Sequence, residues 1–274
     1  MTASPASTLS AQTLIQALHL PEGCRVDQRV PKKLLLENGA PTVADKRLIT
    51  EAIEEIQWVA ALKPNTIGVP DYRDELREYL EIAVLAVTVR GVVKPASQSR
   101  LAELVHRAVP YPVLLLMMEG QSLTLSLAHK RWAQNEADKV VLDGSPQSLT
   151  IPGLPPEIGA PNAAEAATAA ESAFVQSLSI MRQPQVTLYA LYQGWVDCLQ
   201  ALLAARLTGS YQASTTPEQA AKRRQALADC ERLEAEISRL RAQAAKEKQL
   251  ARQVELNLML KRVQAELAAV RGAL

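Results

Sequence analysis

Leu256, Leu260, Val263, Leu267, Val270 and Leu274 step by four and three at the end of the chain, the spacing of a heptad seam. From Pro217 onward Gly272 alone breaks a run rich in Ala, Leu, Gln, Glu, Lys and Arg, which predicts a long helix. Thr216 stands where an N-cap belongs, before Pro217 and Glu218. Leu233, Ile237, Leu240 and Ala244 form a second seam in another register. A stutter around Lys246–Arg252 in one continuous helix reconciles the two seams. A fold-back at the same place is the alternative, with no Gly or Pro to mark the turn.

The first half reads differently. Ser10 caps a short helix through His19, with Leu14, Ile15 and Leu18 inward. Pro31 opens another that ends at Asn38-Gly39. Ile49, Ala52, Ile53, Ile56, Val59 and Ala60 share one side of a helix predicted over Ala44–Leu62, stopped by Lys63-Pro64-Asn65. Glu81–Arg90 is rich in β-branched residues and predicts a strand. Arg100–Val109 predicts a helix ended by Pro110 and Pro112. Val113–Met118 and Ser122–Ala128 flank Glu119-Gly120 and predict a hairpin. In its second strand Ser122, Thr124 and Ser126 alternate with Leu123, Leu125 and Leu127, so one face alone should cover a core. Val140–Leu142 and Leu149–Ile151 add short strands.

These elements predict an α+β protein with a mixed α+β domain over 1–151 and a Pro/Ala/Gly-rich linker over 152–165. A helical segment over 166–216 and a coiled-coil-like helix over 217–274 complete it. Helices are expected over Ala163–Ile180 and Pro184–Leu207. Tyr189, Tyr192 and Trp195, three residues apart, should fill a helix–helix interface there.

Composition narrows the function. With 48% apolar and 4% aromatic residues the cores must be aliphatic, and a net charge of +1 gives no global attraction to nucleic acid or anionic membrane. Cys24, Cys198 and Cys230 are far apart and odd in number, which points to a reducing compartment. The small polar stretch Met1–Ser10 has no signal-peptide pattern, and runs such as Val113–Met118 are too short to span a bilayer. A cytoplasmic protein is expected.

His19, His106 and His129 have no ligand-spaced neighbours, and no phosphate loop, dinucleotide fingerprint or serine elbow is present, so no metal or cofactor is expected. A metal-dependent nuclease would draw on Glu37, Glu81, Glu103 and Glu119 with Lys130. The carboxylate and lysine two apart on one strand that would share a face are missing. Basic groups offer a plainer chemistry. Arg29, Lys32 and Lys33 surround Pro31, and His129, Lys130 and Arg131 follow a strand, with Trp132 beside them. Such groups hold phosphates without reading bases, although a solvated surface is their ordinary role. The Lys222–Arg224 run is balanced by Glu231, Glu234 and Glu236.

The segments RVPKKLLLENGAPTVADKRLI (Arg29–Ile49), IEEIQWVAALKPNTIGVP (Ile53–Pro70), HRAVPYPVLLL (His106–Leu116), SLAHKR (Ser126–Arg131) and KEKQLARQVELN (Lys246–Asn257) resemble, in the same order, the bacterial DUF4391 family. That family is named for an unknown function. The resemblance assigns no catalytic residue. It implies genes beside helicases and DNA methyltransferases in restriction-like antiviral islands, hence a helicase or methyltransferase as partner.

The expected function is a non-catalytic adaptor. Its heptad residues Leu256, Leu260, Val263, Leu267 and Val270 would bind a protein partner or a second copy, and its basic groups would touch DNA. A divergent metal-dependent nuclease is the alternative, and a structural oligomerisation scaffold the third reading.

Overall fold

The computed structural model of the chain describes residues 11–134, 136, 139–151 and 161–274. The expected cap Ser10 and most of the expected linker, residues 152–160, lie outside the described residues. The chain divides into two compact units, one of residues 1–159 with 175–196, the other of 160–174 with 197–274.

In chain order the first unit begins with α1 (Ala11–Ala17), β1 (Arg25–Arg29), α2 (Lys32–Asn38), α3 (Val43–Ala52) and β2 (Ile53–Leu62). There follow α4 (Pro64–Ile67), β3 (Tyr72–Arg73), β4 (Glu78–Tyr79), β5 (Ile82–Val89), α5 (Pro95–Ala108) and β6 (Val113–Glu119). The strands β7 (Ser122–Leu127), β8 (Lys130–Trp132), β9 (Val140–Leu142) and β10 (Gln147–Ile151) complete the set. Six strands form a mixed sheet in the order β1-β2-β5-β6-β7-β10, in which β5 and β6 are parallel and every other neighbour is antiparallel. The parallel pair needs a crossover, and α5 supplies it. The α+β class read from the sequence is the class observed.

The predicted helix over Ala44–Leu62 is instead a helix followed by a strand. Thr42 caps α3 by accepting from the Asp45 amide at 3.1 Å, and the chain turns extended at Ile53. The register between β2 and β5 slips between Ile53 and Glu55 and again between Trp58 and Ala60. Each slip changes which face a side chain takes, so Ile53, Ile56 and Val59 are all buried three residues apart and imitate a helical period.

Leu35, Ile49, Ile53, Ile56, Leu101, Leu104 and Val105 pack with Leu85, Val87, Leu115 and Met117, so α2, α3 and α5 cover one face of the sheet. The intervening Ile82, Val84, Leu114 and Leu116 are buried as well, which makes the central strands apolar on both faces. Thr124 and Ser126 are also buried, contrary to the expectation of a one-sided strand. Register places them on the α5 face, where Gln98 donates to Thr124 at 2.9 Å and His106 Nε2 lies 3.0 Å from Ser126. Their hydroxyls also pair across strands with Thr150 and Ser148.

The helix α6 (Pro161–Ser177) gives its residues to the second unit through Phe174 and to the first from Val175, and it includes the end of the expected linker. In α7 (Leu188–Thr208) the change falls after Val196. Tyr192 hydroxyl donates to the Val113 carbonyl at 2.7 Å and accepts from the Ala128 amide at 2.8 Å, while Tyr189 stacks on Tyr72. Tyr192 therefore serves the six-stranded sheet and Tyr189 the separate β3–β4 pair, rather than a helix–helix interface. Trp195 is buried, and its indole donates to Leu178 carbonyl at 2.8 Å.

In the second unit the expected single long helix is two, α8 (Pro217–Lys246) and α9 (Leu250–Gly272), packed on each other. Thr216 caps α8 as expected, accepting from the Gln219 amide at 3.3 Å. The break is built without Gly or Pro. Glu247 takes an extended backbone, and its carboxylate accepts from the amides of Lys248 and Gln249 at 2.8 and 2.9 Å, starting the next helix. The two seams seen in the sequence meet face to face. Cys230, Leu233 and Ile237 of α8 cluster with Leu267, and Leu260, Val263, Val270 and Leu274 pack around them. Among the described residues no helix is long and apolar enough to cross a membrane.

Candidate functional site

On the first unit, α2, α5, β8, β9 and the turn before β10 border a cleft of about 1180 Å³. At its border the end of α2 approaches α5 closely. A Cβ on Gly39 would sit 2.5 Å from Leu104 carbonyl oxygen and 2.8 Å from Ala108 Cβ, so a glycine is required there. Among the described residues, five cationic side chains line the cleft, Arg100, Arg107, Lys130, Arg131 and Lys139, against two carboxylates, Glu37 and Glu103.

The cations differ in how firmly they are held. Arg100 forks onto Asp45 at 2.8 and 3.0 Å and reaches Glu103 at 2.7 Å, pinning α5 to α3. Hydrogen bonds from Arg100 and Thr42 lower the Asp45 carboxyl to about 2. Arg107 meets only the other Glu103 oxygen, at 2.8 Å, and is nearly half exposed. Arg131 sits 3.7 Å from Asp143, which Arg77 approaches more closely, at 3.2 Å. Lys139 binds Glu136, three residues away at the surface. Arg107, Arg131 and Lys139 therefore hold exposed or shared partners that an incoming anion can replace.

Lys130 is 3% exposed and forms the floor. Its ammonium donates to the carbonyls of His106 and Val109, the unsatisfied acceptors at the end of α5. Burial lowers it to about 7, although the carbonyls and the negative end of the helix favour its charged form. Lys32 does the same for α3, donating to Ile53 and Thr50 carbonyls. Two lysines read from the sequence as phosphate ligands are thus helix C-terminal caps.

The remaining basic candidates scatter. Arg29 pairs with Glu55 at 3.5 Å and shares with Lys32 a separate hollow of about 420 Å³. Lys33 is exposed and pairs with Glu37 at 3.6 Å. His129 is half-buried against Tyr79, Tyr189 and Tyr192, its Nδ1 2.5 Å from Tyr79 hydroxyl. Of the six, the structure brings Lys130 and Arg131 together. The sequence reading missed Arg100, Arg107 and Lys139. Arg100, Glu103 and Arg107 repeat at three and four residues along a helix, the available sign of one charged face.

The four acidic candidates do not gather at one place, although two of them line the cleft with Lys130. Glu37 and Glu103 border the cleft and are bound to cations. Glu81 lies buried at the start of β5 with Lys63 at 3.1 Å, and Glu119 accepts from Val93 amide and Gln98 at 2.6 and 3.1 Å. Among the described residues no group of three or more His, Cys, Asp or Glu is placed to hold a metal ion. His106 is fully buried, and burial with nearby Lys130 lowers it to about 3. Its Nε2 meets Ser126, whose hydroxyl also accepts from Ser148 at 2.8 Å.

The heptad candidates lie on the hairpin. Leu267 is buried against α8, while Leu256, Leu260, Val263 and Val270 are half-buried. The face expected to bind a partner is turned toward the chain's own α8.

The chain belongs to the DUF4391 family, described as a domain of unknown function, whose model matches residues 18–267. Comparison with curated proteins and with solved structures finds no match.

Proposed function

We propose that this protein is a non-catalytic accessory subunit of a bacterial DNA-processing, restriction-like antiviral complex. Its first unit would rest on the DNA backbone, and its α8–α9 hairpin would supply assembly contacts. The observation that supports this reading most is the cleft, where the described residues set five cations against two carboxylates, three of those cations in replaceable pairs. Phosphates recruit Arg and Lys in this manner without reading sequence. A helicase or DNA methyltransferase is the partner class that the family resemblance suggests.

Purification of the endogenous complex tests the assembly, with identification of its proteins and nucleic acid. Co-purification with a DNA-processing enzyme is the expected result. A protein recovered alone and indifferent to DNA contradicts the reading. Metal-dependent cleavage lost on Glu103→Gln would favour the nuclease alternative.

A further inference from the structure

The helix α9 carries apolar residues on two sides. One side is the seam of Leu256, Leu260, Val263 and Leu267 against α8. At about 100° per residue, Ala251, Val254, Leu258, Lys261 and Ala265 form a second heptad stripe on the opposite side, and Ala268 at its end borders a hollow shared with Ile237 and Arg241 of α8. All six are exposed. Val254 is 51% and Leu258 55% exposed, with Leu250 beside them at 76%. A helix apolar on both sides packs between two neighbours, and among the described residues α8 is the one element that packs extensively on α9.

The ion pairs of the hairpin leave out the charges beside this stripe, as they leave out Glu231 and Arg241 of α8. Arg271 pairs with Glu234, Arg232 with Glu266, Arg239 with Glu236 and Arg252 with Glu247. Among the described residues Glu255, Lys261 and Arg262 make no ion pair. Along the stripe Val254 and Leu258 are bulky, and Ala251, Ala265 and Ala268 are small.

We propose that this stripe is a self-association surface, on which α9 of a second copy packs antiparallel across a two-fold axis. The antiparallel arrangement lays Val254 opposite the second copy's Ala265, bulky against small, and Ala251 opposite its Ala268. Leu258 then lies along the apolar stem of the second copy's Lys261, whose ammonium reaches water. Glu255 faces the second copy's Arg262, and two-fold symmetry makes that pair twice. A parallel pairing would set Lys261 against Lys261 and would leave Glu255 and Arg262 on opposite flanks of the seam, out of reach of each other. Two hairpins joined in this way form a four-helix bundle.

The proposal rests on the hairpin's role in assembly, and one series on the full chain separates the two readings. Sedimentation at about 100 μM, a concentration at which micromolar dimers assemble, should find wild type dimeric and Leu258→Glu monomeric with unchanged helicity. Glu255→Arg alone and Arg262→Glu alone should each raise the dimer Kd at least about tenfold, since each creates like-charge contacts. The double reversal should restore it. That rescue needs only surface changes, so it holds even where Leu258→Glu fails to fold. A monomeric wild type, or a double reversal no better than the singles, overturns the proposal. If such a protein still binds DNA and a partner, the accessory reading survives.

Discussion

Arg271 and Glu234 meet at 2.6 Å across 37 residues of sequence. That ion pair records the fold-back of the terminal segment, because in one continuous helix the two would lie about 55 Å apart at 1.5 Å per residue. It also separates the two faces of α9, one closed on α8 and the other open.

The faces should respond oppositely to truncation. Leu267→Ala removes a buried side chain and should lower unfolding stability by about 2–3 kcal/mol. Leu258→Ala in dilute, monomeric protein should change it by about 0.5 kcal/mol or less. Denaturant titration compares the two directly.

Replacing Lys130 by Met should act on structure first. The His106 and Val109 carbonyls at the end of α5 would lose their donor, at a cost of about 1–3 kcal/mol, and the last turn of α5 should exchange its amide hydrogens faster. An ammonium held at about 7 when folded binds fewer protons than the unfolded chain up to about pH 10.5, so stability should rise with pH across that window. Lys130→Met should remove the rise.

His106 makes the fold acid-sensitive. Folded, it stays neutral down to about 3, while the unfolded chain takes up a proton near 6.5. Stability contributed by this group should be full above pH 6.5 and fall toward pH 3, with a slope approaching about 1.4 kcal/mol per pH unit. His106→Gln should flatten that part of the curve in urea titrations at stepped pH.

Gly39→Ala should push α2 away from α5, since backbone oxygen at 2.5 Å cannot yield. Lower thermal stability is expected, together with weaker binding at the cleft, even though Gly39 carries no charge.

Much of this architecture was legible in the residues. The central strands, the β6–β7 hairpin, α5 and the Thr216 cap follow from β-branched runs, a Gly turn and capping chemistry. What misled was local resemblance between different structures. Two bulges gave β2 the spacing of a helix, and Glu247 made a turn from a residue that ordinarily extends one. Both seams of the hairpin were visible, but their pairing depends on that turn. The cleft was half legible. Lys130 and Arg131 stood out as neighbours, yet the end of α5 claims Lys130, a contact 24 residues distant. Arg100, Arg107 and Lys139 reach the cleft through the packing of α5 against β8 and β9, which no local pattern announces.

The salt dependence of DNA binding tests the account most directly. Wild type should bind a short duplex at low salt and lose affinity as salt rises. Arg107→Ala with Lys139→Ala should weaken binding to all sequences alike and reduce the slope of log K against log salt by about two. No binding at low salt, or an unchanged slope in the double variant, would contradict the cleft as the DNA-contacting surface.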